Sequence, residues 1–197
     1  MNLKIKSILL IFLLFLTSCS IRDNVKIKTS TNPKAIASKE KEELLKIIKN
    51  NQKVLIRDSW GVPHAFGKTD QDAAFVLAYA HAEDDFKTIH DALLQARGKY
   101  ASVYGRGNNN KNAIFDYMVG LLKIWETVDE KYYSDLTPET INLCEGYASG
   151  LNYYIESNKD IIEQHIYPVT GKDVIAGTLH KIPFFFQLPF FIGDMFY

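Results

Sequence analysis

The stretch from Val54 to Gly105, VLIRDSWGVPHAFGKTDQDAAFVLAYAHAEDDFKTIHDALLQARGKYASVYG, constrains the fold more than any other part of the chain. Val54 to Arg57 has strand chemistry, Asp58-Ser59-Trp60-Gly61 has turn chemistry, and Val62 to Phe66 resumes an extended run. Gly61 supplies a positive φ and Pro63 restricts its neighbours, so the pattern predicts a β-hairpin. Thr69 or Asp70 then reads as a helix N-cap, with acidic Asp70 and Asp72 near the positive end of the helix dipole. One long helix is expected to Arg97, with Gly98 placed to end it. Phe75, Tyr79, Ala82, Phe86, Ile89 and Leu93 recur at three-and-four spacing, which predicts its core face. A hairpin feeding such a helix points to an α+β chain, mostly helical.

The remaining elements are shorter. Ser38 to Lys49 reads as an amphipathic helix that packs on its own domain rather than on a partner. Gly105 to Asn112, GRGNNNKN, is a loop; its lone Gly-Arg-Gly has no strand before it and no Lys-Ser/Thr after it, so it is no phosphate loop. Asn112 is placed to cap one helix from Ala113 to about Tyr133, whose apolar side would be Phe115, Val119, Leu122 and Trp125. Thr137 and Pro138 open a helix to about Ser157, in which Gly146 and Gly150 allow close packing on a neighbour. Cys144 in this helix reads as a small buried residue rather than a nucleophile. Thr170-Gly171-Lys172-Asp173 reads as a capping box before a helix through about Lys181, broken by Pro183.

The two ends carry different messages. Lys4 and Lys6 precede an apolar run from Ile8 to Leu16 that is too short to span a bilayer comfortably, and Leu16-Thr17-Ser18-Cys19 follows. This predicts a lipoprotein signal over residues 1–18 with lipidation at Cys19, a polar tether over 19–37, and one domain over 38–197. The expected location is the periplasm, anchored to the membrane, with Ser20 after the cysteine leaning to the outer membrane. At the other end FFFQLPFFIGDMFY is rich in aromatics. Pro183, Pro189 and Asp194 argue against a membrane helix, so the tail is expected to pack on a partner chain. With 23 basic and 23 acidic residues, the balance gives no reason to expect nucleic acid.

Titratable groups cluster at the middle of the long helix, where His81 and Asp85 are four apart and near Asp84 and His90. Two carboxylates and a histidine are metal-ligand chemistry, but the stretch has no HExxH, cysteine pair or EF-hand spacing. The reading adopted is a structural network and no metal, with Glu83-Asp84 tying the helix to the hairpin through Arg57 or Arg97.

Several short pieces, taken in order, resemble the opening of the penicillin acylase family. They are Arg57-Asp58-x-x-Gly61-Val62-Pro63-His64, Ala80-His81-Ala82-Glu83-Asp84, Arg97-Gly98, Tyr104-Gly105 and Phe115-Asp116-Tyr117. Glu145-Gly146-Tyr147-Ala148-x-Gly150-Leu151-Asn152 and Val169-Thr170-Gly171-Lys172-Asp173-Val174 follow. The flavour is that of the acyl-homoserine lactone and aculeacin acylase branch. The resemblance implies an αββα N-terminal nucleophile hydrolase, of which this chain matches the α-chain region. It implies cleavage of the acyl amide of an N-acyl amine, an acyl-homoserine lactone or a penicillin-like substrate. It also implies a β chain whose N-terminal Ser is the nucleophile, with its own α-amino group as base. On that reading no catalytic residue belongs to this chain, His64 is structural rather than a base, and no cofactor is required. By position Leu179, Phe184, Phe185 and Phe186 would line the acyl pocket. Calcium, bound in part of the family, is not expected, because Pro189 and apolar neighbours stand where an acidic ligand would be. The alternative is a non-catalytic periplasmic lipoprotein, a remnant of a split acylase gene or a binding module.

Overall fold

The computed structural model describes residues 25–29, 38–160, 162–163 and 165–186. The signal segment, Cys19, Pro189 and the aromatic tail beyond Phe186 lie outside the described residues, as do the side chains of Phe184 and Phe185. The described residues fall into two compact units that divide between His64 and Ala65.

In the first unit, strand β1 (Val25–Thr29) pairs in parallel with β2 (Lys53–Arg57), Val25 opposite Lys53 and Thr29 opposite Arg57. The sheet order is β1-β2-β3, with β3 (Pro63–Gly67) carrying the chain into the second unit. The stretch read as a tether thus holds a strand. Its residues alternate Val, Lys, Ile, Lys, a period-two strand signal that the polar composition around it masked. Helix α1 (Ser38–Asn50) bridges β1 and β2 and packs on β2, as a parallel connection requires. Val54, Leu55 and Ile56 are all buried; consecutive strand residues face opposite sides, so both faces of β2 are covered.

The hairpin turn follows its sequence. Gly61 has φ +81° and donates its N–H to the Asp58 carbonyl at 3.0 Å. Asp58 Oδ1 accepts from the amides of Trp60 and Val62, both at 2.9 Å, an Asx-type closure. Trp60, at the tip, is 84% exposed.

The second unit is helical. Helix α2 (Asp70–Ala96) starts where Thr69 Oγ1 accepts from the Asp72 amide at 3.1 Å. It ends in a Schellman arrangement: Gly98 at φ +61° donates to Gln95 O at 2.8 Å and Lys99 to Leu94 O at 3.1 Å. The expected continuous helix is, however, interrupted. Asp85 sits at φ −157°, ψ 70°, and its carboxylate accepts from Thr88 N at 3.1 Å and Thr88 Oγ1 at 2.6 Å. Asp85 thus caps a second helical segment inside α2, a competition that short polar side chains win readily.

Beyond Gly98 a short helix α3 (Tyr100–Tyr104) appears. Its first amides, Tyr100 N and Ala101 N, are satisfied from a distance by Asp116, at 3.0 and 2.8 Å. The single helix expected from Ala113 to Tyr133 is two, α4 (Lys111–Leu121) and α5 (Ile124–Asp135). They part at Lys123, which is left-handed at φ 50°, and the turn leaves Leu122 37% exposed rather than in the apolar face. Asn112 does not cap; it lies within α4 and its Nδ2 donates to Gly105 O at 3.0 Å.

Helix α6 (Pro138–Ser157) begins with Thr137 as N-cap and Pro138 at N1. Helix α7 (Gly171–Phe185) runs through Pro183 instead of ending before it. Proline near a C-terminus removes one N–H bond, to the carbonyl four residues back, and the last turn tolerates this. Two apolar clusters result. One joins α2 and α6 through Ala78, Ala82, Leu94, Ala148, Leu151 and Ile155. The other joins the end of α2 to α4, α5 and α7 through Ala96, Val119, Val128, Tyr132 and Ala176. No helix among the described residues is long and apolar enough to cross a membrane.

Candidate functional site

The later motif pieces converge where α6 meets the start of α7. Asn152 clamps the backbone of Val169 from both sides: its Nδ2 donates to Val169 O at 2.7 Å and its Oδ1 accepts from Val169 N at 2.8 Å. Glu145, about two turns earlier on α6, accepts from the Gly171 amide at 3.2 Å and from the Tyr132 hydroxyl at 3.0 Å. Gly171 is fitted so closely that an added Cβ would stand 2.1 Å from that hydroxyl and 2.5 Å from Glu145 Oε1. Burial first, then the bond to Glu145, pushes the Tyr132 phenol well above its usual range.

The capping box is present in full. Thr170 N donates to Asp173 Oδ2 at 2.8 Å, Thr170 Oγ1 donates to the same oxygen at 2.8 Å, and Asp173 N returns to Thr170 Oγ1 at 3.4 Å. The other carboxylate oxygen of Asp173, which is 3% exposed, accepts from Arg97 Nε at 2.7 Å, while Arg97 Nη2 donates to Pro168 O at 2.9 Å. The expected pairing of Arg97 with Glu83 or Asp84 is therefore replaced. Those residues lie so far back along α2 that the helical rise alone puts them about 20 Å away. An open cleft of about 360 Å³ lies over the pair, lined by Arg97, Lys99, Trp125, Pro168, Thr170 and Asp173.

The same helix α6 crosses α2 through its glycines. A Cβ on Gly146 would approach Gln71 O to 2.3 Å, and one on Gly150 would approach Phe75 O to 2.2 Å, so backbone meets backbone there. At the middle of α2, His81 and Asp85 do not pair; the kink separates their registers. His81 Nδ1 lies 3.1 Å from the Tyr147 hydroxyl instead. Burial and the neighbouring Glu83 push the Tyr79 phenol up to about 12.

In the hairpin, His64 Nε2 lies 3.3 Å from Asp58 Oδ2, and Arg57 Nη1 donates to Gly61 O at 3.0 Å. Of the residues expected at a pocket wall, Leu179 packs inward on the second apolar cluster, whereas Phe186 is 75% exposed.

These groups hold backbone: both oxygens of Asp173 accept hydrogen bonds, as do both of Glu145. The hydroxyls of Ser102, Ser149 and Ser157 donate to main-chain carbonyls three or four residues back, and that of Ser134 donates to Asp135 Oδ1 at 2.8 Å. Free Cys144 is buried, and burial raises its thiol pKa, the opposite of activation. Sequence reasoning singled out the segments that carry Glu145, Asn152 and Asp173 but missed Tyr132, which lies outside every quoted piece.

The fold is that of an acylase of known structure. The thermostable penicillin G acylase from Alcaligenes faecalis, in its tetragonal form, superposes with a TM-score of 0.55 at 23% identity, over 68% of this chain and 73% of that one. The chain belongs to the penicillin amidase family, whose match runs over residues 54–180. A curated relative, the acyl-homoserine lactone acylase PvdQ of Pseudomonas fluorescens (strain Pf0-1), is 24% identical over 131 residues. The match covers 64% of this chain but only 17% of that relative.

Proposed function

We propose that this chain is the α-chain part of an amidohydrolase that cleaves the acyl amide of N-acyl amines. The observation that carries the reading is the family match over residues 54–180, a stretch whose motif residues build the hairpin and the α6–α7 clamp. A β chain supplies the nucleophilic N-terminal Ser, its α-amino base and the oxyanion hole. The substrate class is an acylated amine, with an acyl-homoserine lactone favoured by the named activity of the PvdQ relative. The chain provides scaffold and part of the acyl-pocket wall; no cofactor takes part. Lipidation at Cys19 anchors the assembly to the periplasmic side of a membrane, the outer one by the identity of Ser20.

The test uses the native cell. The chain is captured with an antibody to residues 64–104, and the accompanying chains are weighed intact and assayed on N-acyl amines. A co-purifying chain with N-terminal Ser, amide hydrolysis in the eluate, and a mass showing acylated Cys19 are expected. A lone chain without hydrolysis overturns the proposal and leaves a remnant or a binding lipoprotein.

A further inference from the structure

His90 of α2 is 1% exposed, and its Nε2 has no hydrogen-bond partner. Buried polar atoms are paired in the great majority of cases, so this one requires an explanation. Nε2 lies 3.8 Å from Glu163 Oε2, too far for a hydrogen bond. From the other side, His165 Nδ1 lies 3.8 Å from the same oxygen. The ligand atoms of the three residues all fall within 4.8 Å of one another.

The opposite nitrogen of His90 sets the tautomer. Nδ1 faces Asp91 Oδ1 at 3.3 Å, so Nδ1 carries the hydrogen and Nε2 presents its lone pair to the carboxylate of Glu163. Asp91 is itself fixed by Lys87 Nζ at 2.8 Å and the Tyr100 hydroxyl at 3.3 Å. The Tyr104 hydroxyl donates to Glu163 Oε2 and fixes that carboxylate in place. A buried unpartnered nitrogen, a carboxylate oxygen and a second imidazole nitrogen thus turn toward one point, where a cation can accept all three.

We infer that His90, Glu163 and His165 bind a divalent transition-metal cation, zinc foremost, with Asp91 as the residue that orients His90. Two imidazoles and one carboxylate are a donor set suited to zinc and too rich in nitrogen for calcium or magnesium. Ligand atoms about 2.1 Å from a tetrahedral ion lie roughly 3.4 Å apart, so the two 3.8 Å spacings close by a few tenths of an ångström and the exposed His165 moves to bring the third, within 4.8 Å, into range. The Asp91–His90 contact is the carboxylate–histidine arrangement that sharpens a metal-binding imidazole. Glu163 and His165 are 54% and 45% exposed at the side chain, which gives the ion an entry path and leaves a fourth position open to water. The ion ties the connection between α6 and α7 to α2. The site is independent of the acylase reading.

The full chain, stripped with a chelator, is titrated with zinc chloride by calorimetry and with cobalt(II) followed in the visible. One zinc per chain at micromolar affinity or tighter is expected, with cobalt bands of tetrahedral intensity. His165→Ala and Glu163→Gln alter exposed side chains, so the fold survives, checked by circular dichroism, while affinity falls at least about tenfold. Asp91→Asn weakens binding by about tenfold through His90. Absence of binding, or binding that His165→Ala and Glu163→Gln leave unchanged, overturns the inference.

Discussion

Helix α6 makes two junctions by opposite means. Toward α2 the closest approach rests on missing side chains: Gly146 and Gly150 let the backbones touch, with Ala148, Leu151 and Ile155 packed around them. Toward the start of α7 it offers everything: Glu145 and Asn152 reach out to satisfy the amides and carbonyl of Val169 and Gly171. The crossing is set by shape and the clamp by polar satisfaction, so the two fail differently. An added methyl group breaks the first, whereas the second tolerates small changes of shape and not the loss of a partner.

Arg97→Ala tests the clamp most severely, because it leaves the buried Asp173 carboxylate without its cation. Removing one partner of a buried pair costs about 3–5 kcal/mol, to be read by denaturant unfolding of the assembled protein. Replacing both partners, Arg97→Met with Asp173→Leu, is expected to recover part of that loss. A double change no better than the single would show that geometry, not charge burial, governs the clamp. Gly150→Val tests the crossing and is expected to cost about 3 kcal/mol, the upper part of the overpacking range, because the obstructing atom is the Phe75 carbonyl and cannot rotate away. A cost near zero would mean that the helices separate freely.

The far end of α7 sharpens the comparison through pH. Burial, with Lys181 adding to it, lowers the His180 pKa from 6.5 to about 4. An unfolded histidine takes up its proton near pH 6.5 and the folded one only near 4. The neutral buried form therefore stabilises the fold above pH 6.5, and this contribution is lost as pH falls toward 4, by about 2–3 kcal/mol. His180→Gln is expected to flatten the stability profile in that window and leave it unchanged above pH 7. Asn152→Ala gives the smallest effect, about 1–2 kcal/mol, for two unpaired backbone groups that water can partly reach. Its hydrogen exchange is expected to rise at Val169 and not at Gly150, which would separate clamp from crossing.

Legibility followed the range of the interaction. The hairpin turn at Gly61, the caps at Thr69 and Thr137, the box of Thr170 and Asp173, and the glycines facing α2 were all readable, because each signal acts over a few residues. The break at Lys123 was not, since nothing in its neighbours marks a left-handed residue. The kink at Asp85 was hidden by apolar spacing that continues on both sides, although Asp85 and Thr88 form a cap pattern that could have disclosed it.

The sequence by itself determined the hairpin, the order and starts of most helices, and which family the chain belongs to. These rest on backbone preferences, capping bonds and short motifs that need no partner beyond their own segment. Only the tertiary structure decided that Arg97 meets Asp173 rather than Glu83, that Tyr132 reaches Glu145, and that His90 faces Glu163 and His165. Those meetings join residues far apart in the chain, and they depend on the angle at which α6 crosses α2, which close backbone contact fixes and no local pattern encodes.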